Sequence, residues 1–230
     1  MSIYEAISKK NLRELSDSEI IHLHLSPTSS NETKNHIVTS TLAKAEDSIH
    51  ATSVNDKLKY LTHPMCIFSV LDQIGGCYST NLMPPHVKGN SIQAALYYFC
   101  GMPTTSDASL ALYALRNSLM HDASLTSVLK RKNQSDLYFY FFYASDFEGV
   151  VKPAHIPWNG DNGQITTANV TYINLAGLRN LADISVSNLR RLFREQPESL
   201  NILRSASEIR TNYLRWTRKT DLVERRFVES

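Results

Sequence analysis

A helical apolar pattern is interrupted by Arg116, Asn117 and His121. In ALYALRNSLMHDASL, residues 111–125, Arg116 and Asn117 are followed by His121. Asn117 and His121 are four residues apart, so a helix places both on one face. An imidazole acts as acid or base near neutral pH, and a guanidinium binds a phosphate through two N–H groups. These groups suffice to cleave a phosphodiester without a metal ion.

The same residues have an ordinary structural interpretation. A helix dipole alone favours Arg and His near a C-terminus, and so short a spacing also arises by chance. Arg116 lies about 140° around the helix from His121, at about 100° per residue, so only its long side chain reaches that face. Asp122 follows His121 directly. It either pairs with Arg116 and holds it off a substrate, or weakens the local affinity for RNA.

The helix that carries these residues is predicted in TTSDASLALYALRNSLMHD. Ser106 or Asp107 can cap its N-terminus. An apolar stripe at helical spacing predicts the face that packs into the core. That stripe consists of Ala108, Leu112, Leu115 and Leu119.

The remaining sequence predicts a mainly α fold, a helical bundle with a small β-hairpin insertion at about 136–173. Helices are predicted from Glu32, over KLKYLTHPMCIFSVLDQIGG, over 91–101, and over 175–195 and 199–219. Pro64 should open or kink the second of these, and Gly75-Gly76 should end it. DLYFYFFYAS and ITTANVTYIN are typical of strands. A single domain over 1–230 is expected, with an N-terminal helical extension over about 1–50.

Composition narrows the class of protein. A chain of 230 residues can bury a sizeable core, and a net charge of +2 is too small to indicate a nucleic-acid binder by itself. Three cysteines without a C-x-x-C pair predict reduced thiols and a cytoplasmic protein. We expect neither a signal peptide nor a membrane span, because the N-terminus lacks an apolar segment and no run of 18 apolar residues occurs.

Other residues offer weaker candidates. His22 and His24 have strand-like spacing, but no nearby cysteine or carboxylate cluster supports a metal site, and no metal or cofactor is predicted. The aromatic run 138–143 is either a core strand or a surface that stacks bases. Lys130, Arg131 and Lys132 form either an ordinary surface loop or the phosphate contacts nearest to His121. Trp158 is assigned no role.

The helix resembles the HEPN family, whose mark is an Arg followed after four to six residues by His, often with Asn directly after the Arg. Here the pattern reads Leu112-Tyr113-Ala114-Leu115-Arg116-Asn117 and then His121. The upstream FSVLDQIGGCYS and the downstream TYINLAGLRNLADISVSNLRRLF resemble segments of the branch described from plasmid-borne proteins. The resemblance covers roughly residues 55–215.

The resemblance implies a HEPN-like helical bundle that forms a homodimer, in which the Arg and His of both copies meet. It implies a metal-independent endoribonuclease that uses the ribose 2′-OH as nucleophile. His121 would be the base or acid, Arg116 would stabilise the pentacovalent phosphate, and Asn117 would orient the site.

A prokaryotic toxin or defence effector is therefore expected, with RNA and a cognate antitoxin or other regulatory protein as partners. The alternative is a non-catalytic HEPN-like module that binds RNA or a protein. A third interpretation is an interaction bundle whose Arg and His merely finish a helix. Some toxins of the family carry a Tyr two residues after the His, which their partner modifies. Ala123 stands at that position here.

Overall fold

The computed structural model describes residues 2–85, 90–132 and 134–221. The helices in this part of the chain are α1 (Ile3–Ser8), α2 (Asp17–His24), α3 (Thr41–Ser53), α4 (Thr62–Cys77), α5 (Ser91–Cys100), α6 (Asp107–Asp122), α7 (Leu175–Glu195) and α8 (Ala206–Tyr213). The strands are β1 (Ser30–Glu32), β2 (His36–Ser40), β3 (Tyr78–Thr80), β4 (Thr126–Leu129), β5 (Leu137–Tyr143), β6 (Val151–Lys152), β7 (Thr171–Ile173), β8 (Leu200–Ile202) and β9 (Leu214–Arg218).

The fold is mixed α/β, and the prediction of a mainly α, HEPN-like bundle with one small hairpin is wrong. The described strands form three sheets, of which one has four strands and mixed pairing. Several strands lie outside 136–173, and β2 and β9 among them fall within segments that were predicted to be helical. Pairing between distant segments decided their conformation, because strand propensity depends on the neighbouring strand and on burial.

The chain divides into two compact units, and the first takes in residues 1–48 and the chain from 202 onward. Its sheet is antiparallel in the order β1-β2-β9. The helix expected from Glu32 begins only at Thr41, and the helix expected over 199–219 is broken into β8, α8 and β9. The residues 22–24, which have strand-like spacing, lie instead in α2. Ser16 starts that helix through a capping box with Glu19.

The second unit spans residues 49–201 and contains α4, α5, α6 and α7, which pack on one another. Its four-stranded sheet has the order β4-β5-β7-β6. β5 runs parallel to β7 and antiparallel to β4. Parallel neighbours need a crossover connection, so the segment expected to be a hairpin cannot be one.

Two elements of this unit have faces that matter for the site. On α6 the side chains of Leu112, Leu115 and Leu119 are buried, as the apolar stripe predicts, whereas Ala108 is half-buried. On β5 the aromatic run alternates, with Phe141 buried and Tyr138 exposed. One face of the strand is therefore core, and the other leaves aromatic rings at the surface.

Helices α4 and α5 approach each other closely at Gly75. A Cβ atom there would overlap the backbone carbonyl oxygen of Ser91 and lie 2.6 Å from the backbone nitrogen of Ala95. The glycine pair does not end the helix as predicted, since α4 continues to Cys77. Pro64 lies in the first turn of α4, where its missing N–H is tolerated.

In the described residues no helix is both long enough and apolar enough to cross a membrane.

Candidate active site at the end of α6

Local sequence sets both ends of the helix that carries the site. The Ser106 hydroxyl accepts a hydrogen bond from the backbone N–H of Ser109, which caps the N-terminus as predicted. At the other end Ala123 adopts the left-handed conformation with φ 49°. The backbone N–H groups of Ala123 and Ser124 donate to the carbonyls of Leu119 and Ser118. This C-terminal cap stops the helix directly after His121 and Asp122.

The structure brings the three candidate catalytic side chains together. Nη1 of Arg116 donates to Oδ1 of Asn117 at 3.2 Å and lies 3.5 Å from Nε2 of His121. The arginine side chain thus bends around the helix to reach the imidazole. Asn117 contacts the guanidinium rather than the imidazole. His121 is exposed, whereas Arg116 and Asn117 are half-buried.

A fourth residue, Asp72 of α4, holds the arginine. Its Oδ2 accepts hydrogen bonds from Nε of Arg116 at 2.9 Å and from Nη2 at 2.8 Å. Its Oδ1 accepts a hydrogen bond from the Ser91 hydroxyl of α5. The Arg116 and Asp72 side chains are 25% and 19% exposed, so solvent screens this pair only in part.

The sequence left open whether Asp122 forms an ion pair with Arg116, and the structure shows that it does not. Arg116 pairs with Asp72, and Asp122 makes no ion pair with another described residue. Asp72 was not among the site residues predicted from the sequence. The available signal was a single charged side chain in the segment 68–74, whose other residues are uncharged, since an acidic side chain on a packed helix is seldom buried without a partner.

Asp72 engages only one edge of the Arg116 guanidinium. A guanidinium has five N–H donors in a fixed plane. Asp72 takes two of them, and the Nη1 group points to Asn117 and His121. The guanidinium is therefore oriented before any ligand arrives, with its third nitrogen beside the imidazole.

A cavity of about 510 Å³ opens beside the same helix end. Its walls include Asn117, His121 and Asp122 from α6, together with Tyr138, Trp158 and Asn162. The Trp158 side chain is 6% exposed, and its indole N–H donates to the carbonyl oxygen of Asp161 at 3.0 Å. Sequence analysis assigned Trp158 no role, because nothing local in the sequence indicates that it approaches α6.

The predicted RNA-binding residues lie in the connection between β4 and β5. Lys130 and Lys132 are exposed, while Arg131 donates two hydrogen bonds to the carbonyl oxygen of Ser135 at 2.9 and 2.7 Å. The three residues are not among those that line the cavity. Their role as phosphate contacts stays a prediction.

The cysteines and the other histidines that the sequence suggested do not form a second site in the described part of the chain. Burial raises the pKa of the Cys66 and Cys100 thiols, which keeps both protonated at neutral pH. His22 and His24 lie in the last turn of α2. Within 2–85, 90–132 and 134–221, no group of three or more His, Cys, Asp or Glu residues is placed to hold a metal ion.

The site combines side chains from three helices, and Asp72 and Arg116 are 44 residues apart in the chain. Related proteins with the same residues would help to assign a role to this arrangement. No family model, no curated protein and no solved structure matches this chain.

Proposed function

We propose that this protein is a metal-independent endoribonuclease of the HEPN type. The observation that carries the proposal is the position of Arg116, whose Nη1 lies 3.5 Å from Nε2 of His121 while Asp72 fixes the other edge of the guanidinium. A phosphate held at Nη1 would lie within reach of the imidazole. The cavity beside His121 gives a substrate room to enter.

The proposed reaction is an internal transfer at phosphorus. His121 accepts the proton of the ribose 2′-OH, and O2′ forms a bond to the adjacent phosphorus. The P–O5′ bond breaks, and O5′ takes a proton from a second imidazole. The products are a 2′,3′-cyclic phosphate and a 5′-hydroxyl end. No oxidant, water or metal is consumed, and the 2′-OH requirement restricts the substrate to RNA.

Arg116 stabilises the negative charge that grows on the non-bridging oxygens in the transition state. Preorganised donors of this kind are worth about 3–4 kcal/mol in other enzymes. Asp72 and Asn117 act as positioning residues, since both contact the guanidinium and neither reaches His121 within hydrogen-bond distance. Asp72 also reduces the net charge that Arg116 presents.

A second copy of the chain would supply the second imidazole. The HEPN resemblance leads us to propose a homodimer in which two His121 side chains face one cleft. We further propose RNA and a cognate antitoxin or other regulatory protein as partners, in the cytoplasm of a prokaryote that uses the protein as a toxin or defence effector. Modification of a Tyr two residues after the His is not part of this proposal, since Ala123 stands there.

A second candidate function is a non-catalytic module that binds RNA or a protein. The observation that favours it is the Asp72–Arg116 pair itself. Two hydrogen bonds to one carboxylate also describe an ion pair that joins α4 to α6 for stability. In this case Arg116 stabilises the packing of α6 against α4, and His121 is simply a residue in the last turn of α6.

The test is cleavage of single-stranded RNA in EDTA by the wild type, Arg116→Ala and His121→Ala. The proposal expects 2′,3′-cyclic phosphate ends from the wild type, and a loss of at least about 100-fold in each variant. Arg179→Ala and His50→Ala serve as matched controls, because both side chains lie on other helices of the same unit. Circular dichroism should show that all four variants are folded.

Two results decide between the candidate functions, and a third tests the proposed dimer. Activity that survives both site variants, or a strict need for a divalent metal, overturns the nuclease proposal. Binding of RNA without cleavage, little changed by His121→Ala, supports the non-catalytic module. Sedimentation analysis tests the dimer, since a monomer that cleaves at full specific activity would contradict the shared site.

A further inference from the structure

Arg116 and Asp122 carry opposite charges and lie on opposite sides of His121 around the axis of α6. At about 100° per residue, Arg116 lies about 140° to one side of His121 and Asp122 about 100° to the other. Asp122 lines the cavity, whereas Arg116 is turned toward Asp72. A phosphate therefore belongs at the arginine. The anionic wall at Asp122 suits a neutral group that carries N–H donors.

The remaining wall of the cavity suits a flat ring. Tyr138 lines it and is 38% exposed, and the buried Trp158 lines it as well. A Cβ atom at Gly160 would come within 3.0 Å of the Tyr138 ring, so a glycine there lets the tyrosine lie close to the backbone. Bases stack on aromatic side chains of this kind. The cavity volume falls within the usual range of about 300–1,000 Å³ for small-molecule sites.

We infer that the cavity receives a guanine base next to the scissile phosphodiester, and that Asp122 accepts hydrogen bonds from it. An ionised carboxylate is an acceptor with two oxygens. Guanine presents two adjacent donors, N1–H and N2–H, on its Watson–Crick edge, whereas none of the other three bases presents two adjacent donors there. The carboxylate of Asp122 makes no ion pair or hydrogen bond with the side chain of another described residue, so both of its oxygens can engage the base. The inference rests on the proposed ribonuclease function for the position of the phosphate.

The first test measures binding of the four nucleoside 3′-monophosphates to the full chain. The chain has two tryptophans, so in a Trp216→Phe background the fluorescence reports Trp158 in the cavity. Guanosine 3′-monophosphate should bind at least tenfold more tightly than the other three. Asp122→Asn should remove that preference, because the amide replaces one acceptor by a donor.

Matched variants separate recognition of the base from general effects. Asp107→Asn changes the same residue type at the other end of α6, where the side chain is exposed, and should leave the preference intact. Tyr138→Ala should weaken binding of all four nucleotides, and Phe142→Ala, on the same strand but outside the cavity, should not. Equal affinity for the four nucleotides, or a guanosine preference that survives Asp122→Asn, overturns the inference.

The second test maps cleavage of an RNA of mixed sequence in EDTA. Cuts should lie next to guanosines in the wild type, and Asp122→Asn should redistribute them among all four nucleotides while cleavage continues. Cleavage that needs Arg116 and His121 but shows no base preference refutes the guanine site and leaves the nuclease standing. Guanosine binding that needs Asp122, in a protein that cuts no RNA, refutes the nuclease and leaves the base site standing.

Discussion

The carboxylate of Asp72 holds the guanidinium of Arg116 by two hydrogen bonds to a single oxygen, Oδ2, at 2.9 and 2.8 Å. The other carboxylate oxygen accepts from the Ser91 hydroxyl. One acidic side chain of α4 therefore contacts both α5, at Ser91, and α6, at Arg116. Changes that disturb α4 or α5 should reach His121 through this carboxylate.

Asp72→Asn should lower both stability and RNA cleavage. The amide keeps the size of the side chain but loses the charge, so the half-buried guanidinium retains at best a weaker partner. We expect a loss of about 1–3 kcal/mol in the free energy of unfolding and at least about tenfold in cleavage rate. Urea denaturation and the EDTA cleavage assay measure the two effects.

The control for that variant is Asp183→Asn. On α7, Oδ2 of Asp183 lies 3.7 Å from Nε of Arg179. The Asp183 side chain is 59% exposed and the Arg179 side chain is 39% exposed. Exposed pairs one helical turn apart contribute about 0.3–0.5 kcal/mol, so both readouts should stay close to the wild type. An Asp72→Asn protein as stable and active as this control would remove Asp72 from the site.

Gly75→Ala and Gly76→Ala should have opposite effects on stability, although they are neighbours in α4. A methyl group at Gly75 would overlap the backbone of Ser91, and relief of this clash would push α5 away. We expect a loss of about 1–3 kcal/mol, together with lower cleavage because Ser91 leaves Asp72. At Gly76 the nearest atom is the Ser91 Cβ at 3.7 Å, an ordinary contact. Alanine there should be neutral or stabilise the fold by up to about 1 kcal/mol.

Thermal and urea unfolding of the two variants, side by side, checks this prediction. Equal destabilisation by the two substitutions would contradict the prediction, because the close approach of α4 and α5 lies at Gly75 and not at Gly76. A stable Gly75→Ala protein with normal cleavage would contradict the proposed link from the α4–α5 contact to Arg116.

Ala123→Gly should stabilise the protein by about 1 kcal/mol. Ala123 has φ 49°, a left-handed conformation that costs about 1–2 kcal/mol for a residue with a Cβ atom. Glycine adopts this conformation without that cost, but it also loses more conformational entropy on folding, so the net gain is smaller. Differential scanning calorimetry measures the gain. Ala108→Gly, in the first turn of the same helix, is the matched comparison and should destabilise. A drop in melting temperature for Ala123→Gly would show that the cap does not require the left-handed conformation.

The stability of the protein should fall as the pH is lowered through about 6.5, in part because of His63. Burial lowers the pKa of this imidazole below its ordinary value of 6.5, and the charges of Arg179 and Lys59 act in the same direction. Its Nδ1 lies 3.0 Å from Oγ1 of Thr52. Because the unfolded chain binds the proton more readily than the fold, each step of acidification below the ordinary value favours unfolding until the folded group is also protonated.

His63→Gln should flatten this part of the stability profile, measured by urea denaturation between pH 7 and pH 5 (about two pH units around the histidine range). His50→Gln, an exposed change on α3, should keep the slope of the wild type. An unchanged slope in His63→Gln would assign the acid sensitivity to other groups.

Sequence patterns predicted the parts of this protein that depend on near neighbours in the chain. The apolar stripe of α6 and its cap at Ser106 are predicted from residues three or four apart, and the structure confirms the cap and the three buried leucines of the stripe. The spacing of Asn117 and His121 likewise requires only that the helix form.

Tertiary structure alone decided the features that join distant segments. Pairing of Leu214–Arg218 with His36–Ser40 made strands where an apolar pattern also fits a helix, since a strand is stable only when its partner strand supplies hydrogen bonds and packing. The partners of the site depend on distant contacts too. Asp72 meets Arg116, and Tyr138 and Trp158 come beside Asp122, because packed helices and a crossover in the sheet place them there. Local spacing carries no information about such contacts, so the sequence determined helix α6 and its polar end, while the fold determined what surrounds them.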